Sequence, residues 1–211
     1  MKITKLGHCC LLLESKGRTI LTDPGAYSDA QNAITGIDAV LITHEHADHL
    51  HLESLKMVLQ NNPQAKIYTN RGVGAILEKE KLAFEVLEHG QTTEFFGVSL
   101  AGLGEKHAPI YPGVPEVINT GYLIDNYLFY PGDAFYVPAQ RVEVLALPVA
   151  GPWMRLSEAV DYAKQVKPHT AFPVHDGALK TPGLAHRLPH SELEKFGIRF
   201  LPMEPGQAID V

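Results

Sequence analysis

Three imidazoles and the carboxylate of Asp48 fall within six consecutive positions, in His44-Glu45-His46-Ala47-Asp48-His49. Neutral imidazole nitrogen and carboxylate oxygen are ligands of zinc and its borderline neighbours. The bland alternative is a solvated His-rich loop, and Asp-His directly after H-x-H weighs against it. Immediately upstream, Ala39-Val40-Leu41-Ile42 is an apolar run that reads as a buried strand. The ligands therefore lie in the loop at its C-terminal end, where α/β folds place their chemistry. His44 and His46 are one residue apart and point to the same side of extended backbone. They can hold one cation together. Asp48 and His49 follow a turn of the chain and face a second position nearby, so two cations are expected rather than one.

This H-x-H-x-D-H segment resembles the signature of the metallo-β-lactamase superfamily. The remaining ligands of that family have matches in order. They are His107 in Gly104-Glu105-Lys106-His107-Ala108-Pro109, Asp133 in Tyr130-Pro131-Gly132-Asp133-Ala134, and His175 in Phe172-Pro173-Val174-His175-Asp176-Gly177. The opening Leu6-Gly7-His8-Cys9-Cys10 and the Thr22-Asp23-Pro24-Gly25 turn look like the branch that includes ascorbate-6-phosphate lactonase and other metal-dependent hydrolases. The resemblance implies a four-layer αββα sandwich of α+β class. It implies that His44, His46 and His107 hold one divalent ion, and that Asp48, His49 and His175 hold another, with Asp133 bridging. Zn2+ is the expected metal, with Mn2+ or Fe2+ as alternatives. Such a pair activates a water as hydroxide near neutral pH for attack on a carbonyl carbon or phosphorus. Asp48 can also orient that nucleophile or shuttle its proton.

Four further residues have two readings each. Asp23 is either a turn-former or a carboxylate that takes the N–H of a metal-bound histidine and fixes its tautomer. His8, at a strand break, is either a catalytic contact or proton donor in the cleft or a satisfied structural histidine. Trp153 and Arg155 follow a strand at the expected site edge. A ring and a guanidinium suit a planar or anionic substrate, and the alternative is a packed Trp and a solvated Arg. His51, His89, His169, His186 and His190 read as helix-start, surface or loop residues.

The elements that must position these groups are short. Cys10–Glu14 and Arg18–Thr22 read as a hairpin across Ser15-Lys16-Gly17. Helices are predicted at 51–60, 73–81 and 157–166, the last with Ser157 as N-cap. Strands are predicted at 66–69, 84–87, 92–96, 98–103, 119–124, 127–130, 144–147 and 170–174. His107 to Val117, with three prolines and a glycine, is a loop beside a ligand. Beyond His175 the pattern gives loops, a short helix near 191–195 and a final strand near 198–201. Periodicity alone supports only mixed α and β.

A length of 211 residues fits one domain, 1–211, with a sizeable core. No apolar run approaches the roughly 18 residues of a membrane span, and no signal-peptide pattern opens the chain. Cys9 and Cys10 point to opposite faces if extended, which disfavours a disulfide between them. They are expected as reduced, core-filling thiols in a cytoplasmic protein. A net charge of −6 and the lack of a basic tract argue against a long nucleic-acid partner. The expected activity is hydrolysis of a small-molecule ester, lactone, amide or phosphodiester. Alternatives are a nuclease, a di-iron redox protein of the same fold and a non-catalytic metal-binding protein. The redox alternative is disfavoured, because those proteins put glutamate in the H-x-H pair and carry a flavin domain.

Overall fold

The computed structural model describes residues 1–211. Its strands are β1 (Lys2–Lys5), β2 (Leu11–Ser15), β3 (Arg18–Thr22), β4 (Ala39–Ile42), β5 (Lys66–Thr69), β6 (Glu85–Val86), β7 (Thr92–Phe95), β8 (Val98–Leu103), β9 (Gly121–Ile124), β10 (Leu128–Tyr130), β11 (Val144–Pro148), β12 (Thr170–Val174), β13 (Arg199–Phe200) and β14 (Ala208–Asp210). The helices are α1 (Leu52–Asn61), α2 (Arg71–Lys79), α3 (Leu156–Val166) and α4 (Pro182–Leu193). The strands form two seven-stranded sheets, in the orders β14-β1-β2-β3-β4-β5-β6 and β13-β12-β11-β10-β9-β8-β7. Each sheet is antiparallel on one side and parallel on the other, changing at β3 and at β10.

The inner faces of the sheets close on each other through Ile3, Leu13, Leu41, Tyr122, Tyr130 and Phe172. Leu55, Val58, Val73 and Leu77 of α1 and α2 cover the outer face of the first sheet. Ala159, Val160, Ala163 and Leu193 of α3 and α4 cover the second. The layers are thus helix, sheet, sheet, helix, as the resemblance implied. Strand β4 has parallel neighbours on both sides and is buried on both faces, so it carries four apolar residues instead of an alternating pattern. The β2–β3 hairpin turns at Lys16 and Gly17, both with positive φ, as a two-residue turn requires.

Several elements differ from expectation. Residues 182–193 form a helix where mostly loop was expected, because Pro189 within it reads as a stop and Pro182 occupies its first turn. Helix α3 is capped by Arg155 with Glu158, and not by Ser157. Strand β14 was not foreseen: it follows Pro202, Pro205 and Gly206 and returns to pair antiparallel with β1. No helix is long and apolar enough to cross a membrane.

The ends of β3, β4, β8, β10 and β12 and the β1–β2 turn all open on one edge of the sandwich. Every ligand predicted from the sequence sits on that edge.

Candidate metal centre

The loop after β4 is held by close packing. Gly25 lies against it so tightly that a Cβ there would stand 1.8 Å from the carbonyl oxygen of Asp48. In that loop, His44 Nε2 and His46 Nδ1 lie 3.1 Å apart, so both rings address one position. The His107 ring adjoins both, with centroids 5.0 Å and 4.7 Å away. His107 uses Nδ1 to donate to the Ala108 carbonyl at 2.5 Å, which frees Nε2. Burial first, and then the neighbouring His49 imidazole, holds His44 well below the usual imidazole range. His44 is therefore a neutral donor, the form that binds metal.

A second position adjoins the first. His175 Nε2 lies 3.4 Å from Asp48 Oδ2 and 2.8 Å from Asp133 Oδ2, and His49 Nε2 lies 3.1 Å from Asp133 Oδ1. Asp133 Oδ2 is also 3.4 Å from His107 Nε2, so this carboxylate faces both positions. Burial would lift the Asp133 carboxyl, but His49, His107 and His175 outweigh it and hold the group well below the usual carboxylate range. His175 has a φ of 62°, in the left-handed region that non-glycine residues rarely adopt. Its backbone N–H donates to the His8 carbonyl. The next residue, Asp176, is anchored by the buried Lys5 ammonium, 2.7 Å from both of its oxygens, and by His186 at 2.8 Å.

These residues fit divalent cations. His49 Nε2, His107 Nε2, Asp133 Oδ1 and both ring nitrogens of His175 are buried without a hydrogen-bond partner. Buried polar atoms are almost always satisfied. Five orphans converging on one edge, all of them imidazole or carboxylate, are the donors that zinc, manganese or iron(II) use. Seven predicted ligands, His44, His46, Asp48, His49, His107, Asp133 and His175, are brought together.

Asp23 organises this set from behind. It is fully buried at the end of β3 and collects four donors. Oδ1 accepts from the Thr43 backbone N–H at 2.8 Å, and Oδ2 from Thr43 Oγ1 at 2.7 Å, Tyr130 OH at 2.6 Å and His49 Nδ1 at 2.6 Å. With Nδ1 donating to Asp23, Nε2 is the nitrogen that faces the cluster and is left to bind a cation once its proton is displaced. Thr43 Oγ1 also lies 3.0 Å from His44 Nδ1, so one carboxylate orients a histidine of each position. Of the two readings of Asp23, the geometry selects the orienting one.

His8 also reaches the cluster, but from behind. It is 1% exposed, and its Nδ1 accepts from the Gly177 N–H at 3.0 Å. The proton is therefore on Nε2, which donates to Asp48 Oδ2 at 3.2 Å. Trp153 had two readings, a substrate contact or a packed ring, and the geometry gives the packed ring. It is 8% exposed and donates from Nε1 to Asp133 Oδ2 at 2.8 Å. Arg155, paired with it in the sequence reading, is exposed at the start of α3 and has no hydrogen bond or ion pair with any ligand.

Two contacts were not legible in advance. His186 was read as a loop residue and is buried on α4, bound to Asp176, because an unforeseen helix turns it inward. Cys9 was read as core filling, yet its sulfur lies among the nitrogens of His8, His49 and His175 while also packing between the sheets. Cys10 faces the opposite side, towards Leu21 and Val40, and the two thiols are free.

Residues 2–175 match the model of the β-lactamase superfamily domain. The chain belongs to this superfamily. It is 39% identical over 180 residues to protein Rv0786c of Mycobacterium tuberculosis, covering 83% of this chain and 84% of that protein. It is 26% identical over 189 residues to a UPF0173 metal-dependent hydrolase of Thermoplasma volcanium, with 83% of each covered. Among solved structures, the metallo hydrolase Igni18 of Ignicoccus hospitalis superposes with a TM-score of 0.78 at 22% identity, covering 99% of this chain and 97% of that one.

Proposed function

We propose that this protein is a binuclear metal-dependent hydrolase of a small-molecule ester, lactone, amide or phosphodiester. The observation that carries the reading is the convergence of unpartnered, buried imidazole and carboxylate atoms on one sheet edge, with Asp133 facing both positions. The names of the hydrolase relatives support the same class. His44, His46 and His107 would hold one cation and Asp48, His49 and His175 the other, with the Asp133 carboxylate facing both positions. Two divalent ions would supply Lewis acidity and bring the pKa of a water down to about 7.

The chain's own groups do the rest. Asp48 is the one carboxylate of the set with appreciable exposure, at 22% for its side chain. It is placed to take the proton of the attacking water and return it to the leaving oxygen. His8 is a positioning residue, because its Nε2–H fixes the rotamer of Asp48. Trp153 does the same for Asp133. Asp23 sets the tautomer of His49.

His46→Ala tests the reading. His46 is only partly buried at the mouth, so its removal should leave the fold intact. Parent protein should bind two metal equivalents and hydrolyse at least one member of a panel of lactones, esters and phosphodiesters. His46→Ala should lose one equivalent and about 100-fold or more in kcat/KM, in the range of a lost transition-state contact. Full activity in the variant would exclude the mechanism.

A further inference from the structure

The hydrolytic reading leaves the substrate open, and a cavity beside the first cation position narrows it. The cavity has a volume of about 290 Å³ and is bounded by His46, His107 and the segment 108–117. Most of the side chains that line it are apolar, and its backbone is constrained. Pro109, Pro112 and Pro115 fix φ along a short stretch, and Ile110 and Val114 supply branched carbon. Both ends are pinned: the His107 N–H donates to the Val117 carbonyl, and the Ala108 N–H to the Asp133 carbonyl. The wall thus hangs directly from one ligand and from the backbone of the bridging one.

No lysine or arginine lines this cavity. Its one charged residue, Glu116, is anionic and turned outward, where it pairs with Lys106 at 2.8 Å. The other nearby cations are also paired, Arg71 with Glu88 at 2.7 Å and Lys5 with Asp176 beneath the site. Arg155 does not line this cavity. A negative charge on a substrate group seated in this cavity would therefore meet no lysine or arginine there and would have to shed water at a cost.

We infer that the substrate is a neutral ester or lactone carrying a short apolar arm, and that the segment 108–117 receives this arm. A phosphate or other anion on that arm is disfavoured by the same wall. The inference rests on the hydrolytic reading above, and it matches a cavity at the small end of the ligand range, of about 300–1,000 Å³.

A series of straight-chain alkyl hydroxamates, titrated into the zinc-loaded protein by calorimetry, tests it without needing turnover. Affinity should rise about fourfold per methylene, the worth of burying one such group, until the cavity is full. A hydroxamate of matched length ending in phosphate should bind no better than the shortest member. Val114→Asp, on the exposed rim of the wall, should flatten the chain-length dependence, and Val114→Leu should retain it. A flat series in the parent protein, or tighter binding of the phosphate-bearing compound, would overturn the assignment and leave the hydrolytic reading standing. Failure of every hydroxamate to bind a protein that holds its zinc would instead overturn the hydrolytic reading itself.

Discussion

Asp23→Asn is the perturbation that separates an orienting carboxylate from a merely structural one. The replacement preserves volume but puts an NH2 where an oxygen accepts from His49 at 2.6 Å, Thr43 Oγ1 at 2.7 Å and Tyr130 OH at 2.6 Å. Both hydroxyls can rotate and accept from the new amide. His49 cannot do so without changing tautomer: its Nδ1 becomes the acceptor and the proton moves to Nε2, the nitrogen that faces Asp133. A protonated Nε2 is no longer a ligand. A buried hydrogen bond to a charged group is worth about 1.5–3 kcal/mol, which converts to roughly 10–150-fold in affinity. That range overlaps the roughly 10–100-fold seen when a group behind a metal ligand is changed. His44 is tied to Asp23 only through Thr43 Oγ1, so the first position should lose no more than about tenfold, the upper worth of a neutral hydrogen bond. Competition with a chromophoric chelator resolves the two equivalents. The expected outcome is selective weakening of one, with an unchanged far-ultraviolet circular dichroism spectrum. Two equivalents held within about twofold of the parent value would refute the tautomer argument.

The cluster also predicts a proton inventory. Burial lowers His175, but Cys9, Asp133 and Asp48 outweigh it and raise the group to about 10 in the cation-free protein, and His49 is likewise raised well above its ordinary 6.5. Raised imidazoles stabilise the cation-free fold fully below pH 6.5, and that contribution is lost as pH climbs through about 10. Zinc must displace the same protons, so its apparent affinity should rise about tenfold per pH unit for each proton released. Proton release near zero on zinc titration at pH 7 would contradict this. Separately, Lys5→Met strands Asp176 with His186 alone. Breaking a buried pair costs about 3–5 kcal/mol, which should lower the unfolding midpoint by roughly 6–20 °C and loosen the zinc held by the adjacent His175. A midpoint within about 2 °C of the parent would show that the pair is energetically idle.

The ligand set was legible because each piece is local: a dense His-rich loop, or a Gly-Asp or Val-His at the end of a run of strand-forming residues. Paired meanings resolved only in three dimensions. Asp23 before Pro-Gly has the composition of a turn whether or not Tyr130, from the opposite sheet, completes its acceptor set. Trp153 kept two readings, substrate contact or packed ring, because nothing local reveals that its N–H meets a carboxylate twenty positions upstream. His186 was misplaced because Pro189 disguises a helix; the apolar residues of α4 also lack a clean period, and only His186, Pro189 and Leu193 are buried there. Cys9 was half-legible: alternation separated it from Cys10, but not the imidazoles it would meet.

The arrangement explains why ligand substitutions should be separable from folding at some positions and not at others. His46 belongs to none of the three apolar clusters, so this mouth residue can change without touching them. His175 is different. Its left-handed backbone is strained, and a strained conformation persists only where the surroundings over-determine it. Here those surroundings are Lys5 from β1, His186 from α4 and the His8 carbonyl from the β1–β2 turn. The last ligand is thus held by both sheets at once. β14, which pairs with β1, extends the same clamp to the end of the chain. Damage to that clamp should lower stability and metal content together, whereas loss of His46 should lower metal content alone.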